Sequence, residues 1–170
     1  MKRLLVVVDM QKDFIDGSLG TEEARAIVPA VKEKILSRQA DGWDVAFTLD
    51  THGEDYLSTR EGKRLPVPHC ITETDGWELC DELGDVKGRY FEKITFGSTD
   101  LGSYAASKGY EEIELVGLCT DICVIANAFL LQAYLPEAEI SVDASCCAGV
   151  TPDSHETALR AMEACQITVK

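Results

Sequence analysis

The chain has 170 residues, 45% of them hydrophobic and 27% charged, which suits one soluble domain with a substantial core. Thirty Asp and Glu against 16 Lys and Arg leave a formal charge of −14, a field that repels a phosphate backbone and excludes nucleic acid as a partner. The opening MKRLLVVVDMQ holds only five apolar residues in a row, too few for a signal peptide or a bilayer span, so no membrane partner is expected. Seven cysteines without a CxxC pair predict free thiols in a cytoplasmic protein and leave little for structural zinc or thioredoxin-like chemistry.

In chain order, Leu4–Val8 predicts a strand that ends on Asp9, followed by a helix over Ala24–Ala40. Val45–Leu49 predicts a second strand ending on Asp50. Gly53 to Leu83, rich in Gly, Pro and charge, reads as a long excursion of the kind that carries function. Tyr90–Ile94 is a third strand with Lys93 near its end, then a helix over Gly102–Lys108. Ile113–Val116 leads into the turn Gly117–Cys123 and a helix over Ile122–Tyr134. Ile140–Val142, followed by Asp143, a helix over Ser154–Ala164 and the run Ile167–Val169 complete the pattern. Continuous apolar strands alternating with helices predict an α/β fold, a parallel sheet with helices on both faces, as one domain over residues 1–170 with its excursion at about 50–83. Ligands in such sheets sit beyond the carboxyl ends of the strands, where Asp9, Asp50, Lys93, the Gly117–Cys123 turn and Asp143 are expected. A single strand-terminal Asp reads first as a cap or turn residue; several reactive types at one edge point to a site.

The turn GLCTDICV raises the question of what its two cysteines do: packing, metal ligation, redox pairing or nucleophilic attack. With Thr120 as N-cap, Cys123 falls at the third helical position, where the helix start favours a thiolate. Cys119 precedes the cap and reads as packing. A nucleophilic thiol needs a base and a group that holds the base, and Asp9 and Lys93 from neighbouring strand ends can supply both. Cys70, Cys80, Cys165 and the pair Cys146–Cys147 in the DASCCAG turn read as core packing without an assigned role. Asp50 and His52, two apart on an extended stretch, share a face, and His69 follows in LPVPHC. One carboxylate and two imidazoles suit zinc, manganese or iron, although the spacing alone leaves a metal site at even odds with a structural reading. His155, at a helix start, reads as a surface residue.

VVVDMQKDF, FEKITF and GLCTDICV, in that order and spacing, resemble the isochorismatase-like cysteine hydrolases, and within them the nicotinamidases or pyrazinamidases, over essentially the whole chain. The resemblance implies a six-stranded parallel sheet in a Rossmann-like three-layer fold, with a catalytic triad at Asp9, Lys93 and Cys123. It implies a cis peptide before Cys119, and an oxyanion hole made by the backbone N–H groups of Cys119 and Cys123. Asp50, His52 and His69 match the family's metal ligands, and Glu61 matches a glutamate that some members add. The implied cofactor is a divalent metal, zinc first, with no organic cofactor. The implied partners are a small-molecule amide substrate and further copies of the chain in a homo-oligomer. Two departures stand out: Arg64–Pro68 carries no aromatic residue where many nicotinamidases place one, and Tyr56 stands near a position where a further histidine is common. Phe14 remains as one wall for a substrate ring, with Phe96 or Trp77 as another. The implied reaction is hydrolysis of nicotinamide to nicotinate and ammonia. The rivals are a carbamoyl or ureido amide hydrolase on the same triad, and a non-catalytic member of the family.

Overall fold

The structure is a computed structural model that describes residues 1–170. Its centre is a six-stranded, all-parallel sheet in the order β3-β2-β1-β4-β5-β6, built from β1 Arg3–Val8, β2 Asp44–Asp50, β3 Arg89–Lys93, β4 Glu112–Leu118, β5 Glu139–Ala148 and β6 Thr168–Val169. The chain steps outward from β1 to β3 on one side, then returns to place β4 against the other side of β1. The strand order therefore reverses between β1 and β4, the point at which such sheets open a crevice at their carboxyl ends. The long helix α2 Glu22–Ala40 covers one face with the single-turn helix α1 Lys12–Ile15, while α3 Thr99–Lys108, α4 Ile125–Tyr134 and α5 Pro152–Ala164 cover the other. No helix is long and apolar enough to cross a membrane.

The two cores follow from alternation along the central strands. Leu4, Val6 and Val8 of β1 enter the cluster under α3–α5, whereas Leu5 and Val7 enter the cluster under α2. Both faces of β1 are sealed, which is why this strand reads as an unbroken apolar run. Helix starts obey local chemistry. The Thr21 hydroxyl accepts from Ala24 N, Ser98 Oγ accepts from Leu101 N, and Thr151 and Ser154 form a reciprocal capping box ahead of α5. Gly117, at φ +115°, lies so close to β1 that a Cβ would collide with the Val8 carbonyl oxygen, so this position admits only glycine where β1 and β4 run together beneath the crevice.

The region around Asp143 departs from the expectation. The strand does not stop at Val142: β5 runs on to Ala148, with residues 143–146 forming a bulge inside it. Pairing passes from Leu115↔Val142 to Gly117↔Cys147, two residues along β4 against five along β5. The local cause is Asp143 Oδ1, which accepts from both Ser145 N at 3.0 Å and Ser145 Oγ at 2.6 Å and offers the backbone a turn in place of the ladder. Asp143 is accordingly a mid-strand residue, paired to Lys34 Nζ at 2.6 Å, and takes no part in the crevice.

Candidate active site

Asp9 ends β1 in a left-handed conformation (φ 47°) that turns its carboxylate across the sheet edge. It is fully buried, and Thr48 Oγ1 donates to its Oδ1 at 2.6 Å. Its Oδ2 lies 2.7 Å from Lys93 Nζ in a buried, charge-assisted ion pair. Lys93, from the end of β3, also donates to Thr95 O at 3.1 Å, to Asp50 Oδ1 at 3.4 Å and to Cys123 Sγ at 3.5 Å. One buried ammonium thus touches the carboxylates of β1 and β2 and the thiol beyond β4.

Burial pushes the Asp9 carboxyl above its ordinary range, with Lys93 pulling the other way. Burial also pushes the Cys123 thiol well above its usual value, helped by the Asp9 charge and opposed by Lys93. Burial works against the charge of Lys93 too, yet Asp9, Cys123 and Asp50 together hold it above its usual value. The thiolate-favouring helix start expected from the sequence does not govern Cys123. The segment Thr120–Val124 is a π-helical turn N-capped by Cys119, and Cys123 is only 6% exposed among Leu115, Val124 and their neighbours, so desolvation outweighs the helix dipole. Thr120 is not the cap. Its hydroxyl bonds His155 Nδ1 at 2.7 Å, which ties α5 to the turn and makes His155 a half-buried brace instead of a surface residue.

The Leu118–Cys119 peptide is cis. The Cys119 N–H makes no hydrogen bond within the chain, and burial pushes the Cys119 thiol up to about 12, leaving it protonated at neutral pH. Cys119 and Cys123 share the wall of a cavity of about 240 Å³ with Phe14, Phe96, Leu65 and Ile122, while Asp50, Glu61 and His69 supply its polar end. Trp77 lies outside this cavity, its indole donating to Thr51 Oγ1 at 2.9 Å.

Asp50, His52, Glu61 and His69 present ligand atoms that all lie within 4.8 Å of one another. Asp50 Oδ2 is 2.9 Å from His52 Nε2 and 3.3 Å from His69 Nε2, and Glu61 Oε1 stands 3.6 and 3.7 Å from the same two nitrogens. His69 Nδ1 is 2.8 Å from Val67 O, a bond that places a proton on Nδ1 and turns Nε2 toward the Asp50 and Glu61 oxygens. Burial disfavours a charged His69, but Asp50 overrides this and raises its pKa, while the two histidines and Lys93 hold Asp50 well below the carboxylate range despite its burial. Two imidazoles and two carboxylates converging in this way fit a divalent metal.

Several supports escaped the sequence reading. Gln11 is buried, accepts from Asp50 N at 2.8 Å and donates to Asp50 O and Trp77 O, both at 2.8 Å. Asp13 Oδ2 accepts from Cys70 N at 2.8 Å, just beyond His69. Lys12 reaches Asp75 at 2.7 Å and Asp81 at 3.1 Å. The stretch DMQKDF therefore delivers Asp9 and also fastens the excursion at both ends. Asn127 donates to Cys123 O at 2.8 Å and Phe96 O at 3.1 Å, joining nucleophile and cavity wall. A polar residue inside an apolar run was the one available signal, as at Thr48 in VAFTL and Asn127 in IANAFLL.

A nicotinamidase/pyrazinamidase of Mycobacterium tuberculosis is 29% identical over 97% of this chain and 96% of its own length. An isochorismatase family protein of Bacillus subtilis is 31% identical over 94% and 93%. The crystal structure of pyrazinamidase of Pyrococcus horikoshii in complex with zinc superposes with a TM-score of 0.88 at 28% identity, over 100% of this chain and 99% of that one. Residues 3–170 match the isochorismatase domain, and with the parallel sheet and its crevice in view, the chain belongs to the isochorismatase family.

Proposed function

We propose that the protein is a cysteine-dependent amidohydrolase of the nicotinamidase type, converting nicotinamide and water to nicotinate and ammonia. The observation that carries this reading is Lys93 Nζ, which touches both Asp9 and Cys123, while Cys123 lines an apolar cavity whose wall also includes Asp50, Glu61 and His69 of the four-donor cluster. Asp9, raised by burial, is matched to accept the Cys123 proton. The thiolate attacks the amide carbon, and the N–H groups of Cys119 and Cys123 receive the oxyanion, each donor being worth about 10²–10³ in rate. Asp9 returns its proton to the departing ammonia. It then deprotonates a water that hydrolyses the thioester, releases nicotinate and restores the thiol.

Asp50, His52, His69 and Glu61 would hold zinc, which supplies a Lewis-acid anchor for the pyridine nitrogen. Phe14 and Phe96 flank the ring, and one domain spanning the chain carries the whole site. Free cysteines throughout the chain support action in the cytoplasm; the reaction, by releasing nicotinate, would serve salvage of NAD, and the family resemblance supports a homo-oligomer. The test is ammonia release from nicotinamide by the zinc-loaded wild type, by Cys123→Ala and by chelator-stripped protein. Activity confined to the first establishes the reading. The aliphatic Leu65 wall favours one rival, a carbamoyl or ureido substrate. That rival takes over if nicotinamide is inert while Cys123 still alkylates faster than the chain's other thiols.

A further inference from the structure

Tyr56 is the largest fully buried side chain of the molecule outside the two sheet cores, 1% exposed in the middle of the excursion. Its ring stands edge-on to His52 (centroids 4.8 Å apart, 61°) and to His69 (5.0 Å, 74°), and the two imidazoles meet each other at 5.0 Å and 72°. Three rings thus form a closed triangle in which neither ligand can rotate without displacing Tyr56. The backbone repeats the arrangement. Tyr56 O accepts from Thr59 Oγ1 at 2.6 Å, and Thr59 Oγ1 accepts from Gly62 N at 3.0 Å, next to Glu61. The chain closes so tightly that a Cβ on Gly62 would collide with Tyr56 O. The phenol hydroxyl donates at 2.9 Å to the carbonyl of Leu65, whose side chain lines the cavity, with the Glu61 carboxylate nearby.

We propose that Tyr56 is a positioning residue with two separable tasks: its ring sets the metal-ligating imidazoles, and its hydroxyl sets the Leu65 wall against which the substrate lies. Because the hydroxyl is spent on a backbone carbonyl, Tyr56 orders the donors without being a donor itself. The first task stands on the geometry of the cluster. The second rests on the nicotinamidase reading above.

The division predicts different signatures for different truncations. Tyr56→Phe keeps the ring, so its zinc Kd, measured by competition with a fluorescent chelator, stays within about twofold of wild type, while loss of one hydrogen bond raises the KM for nicotinamide about three- to tenfold with kcat nearly unchanged. Tyr56→Leu and Tyr56→Met, two ring-less variants so that one folded protein suffices, weaken zinc about tenfold or more, as loss of an outer support does in other metal sites. Far-UV circular dichroism of all three matches wild type, which general unfolding would not allow. A ring-less variant that binds zinc as tightly as wild type overturns the first task, and an unchanged KM in Tyr56→Phe overturns the second. Should the zinc-loaded wild type release no ammonia from nicotinamide, the functional reading falls, and the chelator competition still judges the ring.

Discussion

Asp9 and Cys123 are both pushed toward their neutral forms by burial, and Lys93 is the cation that makes an ionised state of either one accessible. Replacing Lys93 with Met should lower kcat by about 10³ or more and slow alkylation of Cys123 in the same protein, with folding checked by circular dichroism. Thr48 offers a subtler probe. Its hydroxyl favours the ionised Asp9, so Thr48→Val removes a lowering influence and raises the Asp9 pKa further. If Asp9 must be ionised to act, the acid limb of kcat/KM then moves to higher pH, and a pH–rate profile that stays in place would exclude Asp9 as the base. Asp9, Lys93 and Cys123 were legible because strand ends and a motif mark them. Thr48, Asn127 and His155 were not, since each matters through a neighbour more than thirty positions away or across an element boundary that the sequence does not reveal. The direction of the Cys123 shift was misread for the same reason: a helix start is written in the local sequence, whereas the desolvation that overrides it is set by packing.

The stretch Asp9–Ile15 organises more of the site than its single turn of helix suggests. Gln11 clasps the backbone of Asp50, and Asp13 takes the N–H that follows His69, so β1 and α1 hold ligands of the excursion that belong to distant parts of the chain. Asp13→Ala should weaken zinc about tenfold by chelator competition while Asp13→Asn, which keeps an acceptor oxygen, restores most of it. Equal affinity in the two variants would show that His69 is held by something else. The strands and helices were readable from periodicity, and the caps Thr21, Ser98 and Thr151 account for helix starts lying a little ahead of the apolar patterns. The continuation of β5 through DASCCA was not readable, because Asp and Ser in that run announce a turn and the structure accommodates the turn as a bulge within the strand.

Across the molecule as a whole, the acidic excess is managed locally, and Glu114 shows how. This fully buried carboxylate on β4 meets Arg38 at 2.6 Å, Lys170 at 3.6 Å and Lys34 at 3.7 Å. Burial alone would raise its pKa, but the three cations lower it below its usual 4.5. A carboxylate depressed on folding stabilises the protein above its unfolded pKa, so this contribution is intact above about pH 4.5 and fades as pH falls through the lower folded value. Glu114→Gln should therefore flatten the loss of stability below pH 4.5 in urea titrations, and an unaltered slope would remove Glu114 from the account. At neutral pH, Glu114→Ala should cost about 2–3 kcal/mol, less than a sealed pair, because Arg38 and Lys34 remain 22% and 21% exposed.

Asp50 has two oxygens, and they look in opposite directions. Oδ2 faces the imidazoles, and Oδ1 faces the ammonium that also serves the nucleophile. The carboxylate belongs to β2, whereas its companions His52, Glu61 and His69 belong to the excursion. The two halves of the chemistry are consequently not interchangeable parts. A loop transplanted from a relative would bring its own imidazoles and would still have to answer to an aspartate fixed in this sheet. Any drift in that loop would be felt on the far side of β1 as a change in the field around a sulfur it never touches.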